Sequence, residues 1–444
     1  MLFHKEECKI FIYRQQILHT GLRRRLREKR RKKILRTSNN RKEETTDMNI
    51  RFSQRMVRED FQGDFMKLIM KAGASPDIIS FAGGLPNPIS FPVEAIQKAT
   101  DKVLKEHGVQ ALQYSAVQGY PPLREFIAKR YQQQGLDITA DQILITTGSQ
   151  QGLEIMGAVM LDEGDYIMME NPSYLAALQL FHFYNPKVLP VDLTEEGADC
   201  DQVEELIEKY QPKFFYAIPN FQNPTGLTYS EKVRHKLANL IKNSDTIFLE
   251  DNPYGDLRYS GTPKTPCKKL MGDSCVMLGT FSKTVSPGMR LGWICCTEPV
   301  LMEKMIEYKQ VIDLHSNFFC QMVLAQYFED NKIEDHIAKI TDLYSRQANY
   351  MMDCMRKYFP EEVEFTEPEG GMFLWVTLPE GLTAVELSDR AVARNVAFAA
   401  GDPFYEAERN VRTFRMNYTN CSDEEIRTGI KILGEEIADM MKKK

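Results

Sequence analysis

QILITTGSQQGLEIMGAVML, residues 142–161, holds a strand and a helix in one short run. QILIT is short, apolar and rich in β-branched side chains, which suits a buried strand. TTGSQQG (146–152) follows it and opens a helix, whose first backbone N–H groups favour an anion. Gly148 lets the chain approach closely there, and Ser149 adds a hydroxyl donor. Taken alone, this Gly-Ser pair would be read as an ordinary helix cap. DYIMMENPSYLAALQLF (165–181) repeats the order of strand and helix, and TIFLEDNPY (246–254) supplies another strand. From Ile79 onward apolar runs keep alternating with helical stretches. That alternation predicts an α/β fold with a mostly parallel sheet and helices on both faces, in a large domain over about residues 95–325.

Beyond it the pattern changes. From Lys332 to Phe359 apolar residues stand at Ile333, Ile337, Ile340, Leu343, Met351, Met355 and Phe359, the spacing of a long amphipathic helix. GGMFLWVTLP (370–379) and NVRTFRMNY (410–418) read as strands of a smaller α+β domain over 326–444. An alternating strand there turns Arg415 and Asn417 to the same face.

The chain has 444 residues and 43% hydrophobic content, enough for a large core and more than one domain. Residues 1–47 carry 15 basic and 6 acidic residues, whereas the remainder carries 41 and 56. The acidic remainder argues against nucleic acid as the main partner. RRRLREKRRKK (23–33) invites a targeting or binding role, but reads better as a disordered basic extension or as sequence upstream of a beginning at Met48. The nine cysteines show no metal-ligand spacing and are expected to be reduced core thiols, with Cys295 and Cys296 pointing to opposite faces of a strand. No signal peptide or long apolar run is apparent, so a cytoplasmic protein with no membrane partner is expected.

Two stretches carry chemistry. TIFLEDNPYGDLRY (246–259) ends its strand at Glu250 and Asp251. Ligands of open α/β sheets sit beyond the carboxyl ends of the strands, so Asp251 stands at the mouth of a site. GTFSKTVSPGMRLGW (279–293) sets a lysine, two hydroxyls and an arginine among glycines and a proline. Lys283 can form an imine with an aldehyde, and Thr280, Ser282 and Arg290 suit a phosphate. An aldehyde and a phosphate on one small molecule describe pyridoxal phosphate (PLP). A carboxylate such as Asp251 would keep the proton on a pyridine nitrogen. Tyr254, and Asn223 in NPTG (223–226) after the apolar run FFYAI (214–218), can both reach the ring's phenolic oxygen.

In this order, the segments resemble the class I/II aminotransferases, the fold type I PLP enzymes. AGGLPNPISFP (82–92) is most similar to the subgroup of α-aminoadipate and kynurenine aminotransferases. The resemblance runs from about Phe52 to the C-terminus and implies a seven-stranded sheet in the large domain. It assigns residues 48–94 to an N-terminal arm and part of the small domain. It implies that Ser149 and Gln150 contact the cofactor phosphate and that Tyr174 stacks on the ring. Arg415, with Asn223 and the Gly84 backbone, would grip the substrate carboxylate. Tyr114 would reach the phosphate of a neighbouring subunit, so the active form would be a homodimer. The chain departs from many relatives at Ala400-Gly401, before Asp402 and Pro403, in a turn expected to be remote from the cofactor groups.

The activity implied is PLP-dependent transfer of an amino group from an L-amino acid to a 2-oxo acid, 2-oxoglutarate first among them, in ping-pong fashion. The donors implied are 2-aminoadipate and aromatic or aliphatic amino acids. Two alternatives stand beside it. A PLP-dependent lyase or decarboxylase would use the same cofactor groups, and some bacterial regulators carry an aminotransferase-like sensor domain. Against the regulator, 47 highly polar residues with a continuous basic run make a poor winged helix.

Overall fold

The computed structural model describes residues 51–57, 61–65, 67 and 77–443. The basic run 23–33 and the rest of the N-terminal extension lie outside the described residues. Within the unit Met1–Arg58 the described part contains one helical turn, Gln54–Val57. Glu59–Lys444 form a second compact unit.

After the helical residues 61–65, that unit continues with β1 (Ile79–Ser80) and the helix Val93–Ala111, and then builds its main sheet. The strands are β2 (Ile143–Thr146), β3 (Tyr166–Asn171), β4 (Lys187–Thr194), β5 (Gly197–Ala198), β6 (Phe214–Ala217), β7 (Ile247–Asp251), β8 (Cys275–Thr280) and β9 (Gly292–Cys295). They lie in the order β2-β9-β8-β7-β6-β3-β4-β5, so the sheet has eight strands rather than seven. The extra one, β5, is a two-residue strand folded back antiparallel on β4. The central pairs β3–β4, β3–β6, β6–β7 and β7–β8 are parallel, as the alternation predicted. β6 and β8 read FFYA and CVMLGT and are buried throughout, because helices cover both faces. β9 runs antiparallel to both β8 and β2, since it returns directly from the loop after β8. The carboxyl ends of β2, β3, β6, β7 and β8 and the start of β9 therefore meet along one edge.

The sheet's faces feed different cores. Phe214, Tyr216, Leu249, Leu278 and Cys296 pack with the long C-terminal helices. Phe215, Phe248 and Cys275 pack on the other side, as do Met277, Trp293 and Cys295. Cys295 and Cys296 thus enter different cores, as their adjacency predicted. The eight described cysteines are free thiols, seven of them buried.

The predicted amphipathic helix is present as Ile333–Tyr358, with Ile333, Ile340, Met351 and Met355 buried along its stripe. The smaller sheet uses β10 (Glu364–Phe365), β11 (Phe373–Thr377), β13 (Ala399–Ala400) and β14 (Thr413–Asn417), while β12 (Val396–Ala397) pairs parallel with β1. Its order is β10-β11-β14-β13, which puts Arg415 between Trp375 and Ala399. The last helix, Asp423–Lys442, starts on a reciprocal Ser422–Glu425 capping box. The expected limits at residues 94/95 and 325/326 both cut helices, Val93–Ala111 and Phe318–Asp330, so a break between elements falls before Val93 and at 331–332.

Candidate active site

The strand ends along the shared edge border a cavity of about 480 Å³. Lys283, Asp251, Asn223, Tyr254, Tyr174, Thr280, Ser282, Arg290, Ser149, Gln150, Gly84 and Arg415 all line it. Every site residue expected from sequence is therefore gathered there except Tyr114, which is 78% exposed and edge-on to His315 at 5.9 Å.

Lys283 follows β8, and its Nζ donates to the Gly84 carbonyl at 2.7 Å. Burial, then repulsion by the guanidiniums of Arg415 and Arg290, lowers its pKa to about 8. About a tenth of such an amine is neutral at pH 7 and about half at pH 8, far more than for an ordinary lysine, as an imine-forming and proton-carrying lysine requires.

Asp251 closes β7 and is buried. The Tyr216 hydroxyl donates to its Oδ2 at 2.9 Å, while Oδ1 has no hydrogen-bond partner. Burial pushes its pKa up to about 7, against the pull of the Tyr216 hydrogen bond. A buried carboxylate that lines a cavity and has one oxygen unpaired calls for a cationic donor. Nearby, the Asn223 amide donates to the Tyr254 hydroxyl at 3.4 Å. Burial raises the pKa of Tyr174 to about 12, so this ring stays neutral as it lines the cavity.

At the other end, the helix Ser149–Met160 begins after Gly148, whose φ of 75° favours glycine. A Cβ there would sit 2.6 Å from the Arg290 guanidinium, so glycine lets this cation reach the helix start. The Thr280 and Ser282 hydroxyls meet at 3.0 Å beside it. Amide dipoles, hydroxyls and a guanidinium make an anion cradle. A network that sequence reading missed lies behind it. The buried Lys309 amine donates to Asp313 at 2.7 Å, Ser316 at 3.1 Å and Gln151 at 3.3 Å. Gln151 also donates to Asp313 at 2.7 Å and accepts from the Thr147 amide at 2.7 Å. Lys309→Met leaves a partly buried carboxylate without its cation, so the protein is expected to lose about 3 kcal/mol of stability. Denaturant unfolding beside Lys309→Arg checks this, and an unchanged midpoint for Lys309→Met would contradict it.

Arg415 is held at both terminal nitrogens, while its buried Nε has no hydrogen-bond partner. Nη1 donates to Asn223 and Nη2 to the Ala82 carbonyl, each at 2.7 Å. The rings of Phe373 and Phe404 lie 4.2 and 5.0 Å from its guanidinium carbon. Burial lowers its pKa to about 10, so it remains a cation. Asn417, expected on the same face, does not line the cavity; its side chain instead accepts from the Thr419 backbone at 2.9 Å. The Ala400-Gly401 turn leads to Phe404, which packs on Arg415 rather than on the cofactor groups, and no residue of the turn lines the cavity. Tyr216 and Phe404 carried no sequence signal of their own, since apolar or aromatic residues in strands and turns read as core.

The residues fit PLP. The free Asp251 oxygen suits a protonated ring nitrogen, the cradle suits a phosphate, and the low-pKa lysine suits an aldehyde. Comparisons with known proteins agree. The family model "Aminotransferase class I and II" matches residues 79–433. The aromatic-amino-acid aminotransferase 1 of Thermococcus litoralis is 41% identical, over 90% of this chain and 97% of its own. The 2-aminoadipate transaminase of Thermus thermophilus is 36% identical, over 86% and 95%. The α-aminoadipate aminotransferase of Thermus thermophilus, solved with N-(5'-phosphopyridoxyl)-L-leucine, superposes with a TM-score of 0.82 at 34% identity, covering 88% of this chain and 98% of that one. Sequence, fold and cavity chemistry thus lead to one conclusion: this chain belongs to the class I and II aminotransferases and is a PLP-dependent transaminase of amino acids.

Proposed function

We propose that the protein moves the amino group of 2-aminoadipate or of an aromatic or aliphatic L-amino acid to 2-oxoglutarate, from a site centred on Lys283. The reading is carried by the convergence of Lys283, the free Asp251 oxygen, the anion cradle and Arg415 on one cavity. Bound PLP supplies an aldehyde carbon that condenses with amines and a protonated ring that withdraws electrons. Asp251 holds the ring-nitrogen proton by charge pairing. Asn223 and Tyr254 donate to the ring oxygen, and Tyr174 covers the ring face. Ser149, Gln150, Thr280, Ser282 and Arg290 anchor the phosphate. Arg415 grips the α-carboxylate through its planar fork, with Asn223 and the Gly84 backbone completing the grip. Lys283, with its lowered pKa, would be the group that takes the proton from the substrate Cα and hands it on.

Supplying 2-oxoglutarate with each donor and measuring glutamate tests the assignment. Glutamate from none of these donors, while another oxo acid accepts the amine, would refute the acceptor. Arg415→Lys keeps the charge and loses the fork, so KM for the amino acid is expected to rise about 10- to 100-fold, with kcat less affected. An unchanged KM would remove Arg415 from the carboxylate grip.

We also read the active form as a homodimer in which Tyr114 reaches the partner's phosphate. Exposure of Tyr114 close to the exposed Val109, Leu112, Val311 and Leu314 supports this. A fully active species with the mass of one chain in light scattering would refute it.

A further inference from the structure

Tyr216 lies inside β6, next to the strand that carries Asp251. It is opposite Leu249 in register, and Asp251 stands two residues further along β7 on the same face. The Tyr216 side chain is fully buried, and its ring meets Phe181 edge-on at 5.9 Å. Packing thus fixes where its hydroxyl points. That hydroxyl donates to Asp251 Oδ2 at 2.9 Å, and Oδ1 is the oxygen left without a partner. One oxygen is tied back into the sheet, and the other carries no hydrogen bond in a residue that lines the cavity.

Resting on the PLP assignment, we propose that Tyr216 is a positioning residue for the ring-nitrogen contact: its hydroxyl clamps one oxygen of Asp251, presents the other to the ring nitrogen, and keeps the shared proton on the ring. The surroundings otherwise disfavour an ionised carboxylate. Burial raises the pKa of Asp251, and the Tyr216 hydrogen bond is the contact that lowers it. Glu170, Tyr174 and Tyr254 also feel the Asp251 charge, and Lys283, Arg290 and Arg415 line the same cavity, but burial and the Tyr216 hydrogen bond are what set its pKa. Without the hydroxyl, Asp251 Oδ1 becomes the stronger base. The proton then passes from the ring nitrogen to that oxygen, leaving a neutral acid beside a neutral ring.

The experiment loads wild type, Tyr216→Phe and Phe181→Leu with PLP labelled isotopically at the ring nitrogen. It reads the nitrogen chemical shift and the dissociation constant for PLP. Tyr216→Phe keeps the ring and its packing, and is expected to move the nitrogen signal towards the unprotonated position and to weaken PLP binding about tenfold or more. Phe181→Leu loosens the same packing without touching the hydrogen bond, and is expected to leave the nitrogen signal in place. A wild-type nitrogen signal in Tyr216→Phe would overturn the proposal, as would an equal displacement in Phe181→Leu. Wild-type protein that took up no PLP would overturn the cofactor assignment and this proposal together.

Discussion

Lys283→Ala is expected to lower turnover by about 10⁴-fold or more, because one side chain both captures the cofactor and carries the proton. The cradle of Ser149, Thr280, Ser282 and Arg290 is untouched by the change, so PLP should still bind non-covalently. Its spectrum should be that of the free aldehyde. Lys283→Arg should be equally inactive, since a guanidinium stays charged and cannot condense. The lowered lysine pKa adds a pH signature. The neutral amine attacks the aldehyde, so PLP uptake by the cofactor-free protein should accelerate as pH rises and level off above about 8. A lysine at its ordinary 10.5 would keep accelerating beyond pH 10. Undiminished multiple turnover by Lys283→Ala would end the assignment.

The second large effect belongs to Asp251→Asn. The amide has the same shape and can still accept from Tyr216, but it no longer pairs with a ring cation. Loss of one positioned charge is expected to reduce kcat by about 10²- to 10³-fold, with KM little changed. Stability should move the other way. The folded-state pKa of Asp251, about 7, lies above its ordinary 3.8. Between those values the folded protein retains a proton that the unfolded chain has released, so stability falls as pH rises through the window. Cofactor-free Asp251→Asn lacks this loss. It should unfold at a higher temperature than cofactor-free wild type at pH 8, and the gap should close towards pH 4. A variant less stable than wild type at pH 8 would show that Asp251 supports the fold rather than straining it.

Much of this arrangement was legible in the sequence because local rules dictate it. β6 and β7 announce themselves as apolar runs, and Asp251 and Asn223 follow at the end of one and in the loop after the other. Lys283 and Arg290 could be named because a lysine, hydroxyls and an arginine crowd into one short stretch, 279–293. The supporting groups were not legible, because tertiary contacts give them their meaning. Tyr216 sits in FFYA, where a tyrosine is an ordinary core residue until its hydroxyl is seen on Asp251. Lys309 and Asp313 are four apart and read as a solvated helix pair. They become part of the site's support through Gln151, far away in sequence. The place of Phe404 against Arg415 was not legible, because the antiparallel pairing of β13 with β14, which brings it there, has no local signal. Tyr114 is exposed and does not line the cavity of its own chain, and its reading depends on a second copy.

A single-turnover absorbance experiment tests the central claim most directly. The protein is loaded with PLP, each amino acid is added without any oxo acid, and the band of the lysine-linked cofactor is followed. The account predicts that the band gives way to the pyridoxamine phosphate spectrum with 2-aminoadipate or with aromatic or aliphatic amino acids, and that one oxo acid forms per site. A band that persists with every amino acid, or a product missing carbon dioxide or a side-chain fragment, would contradict it.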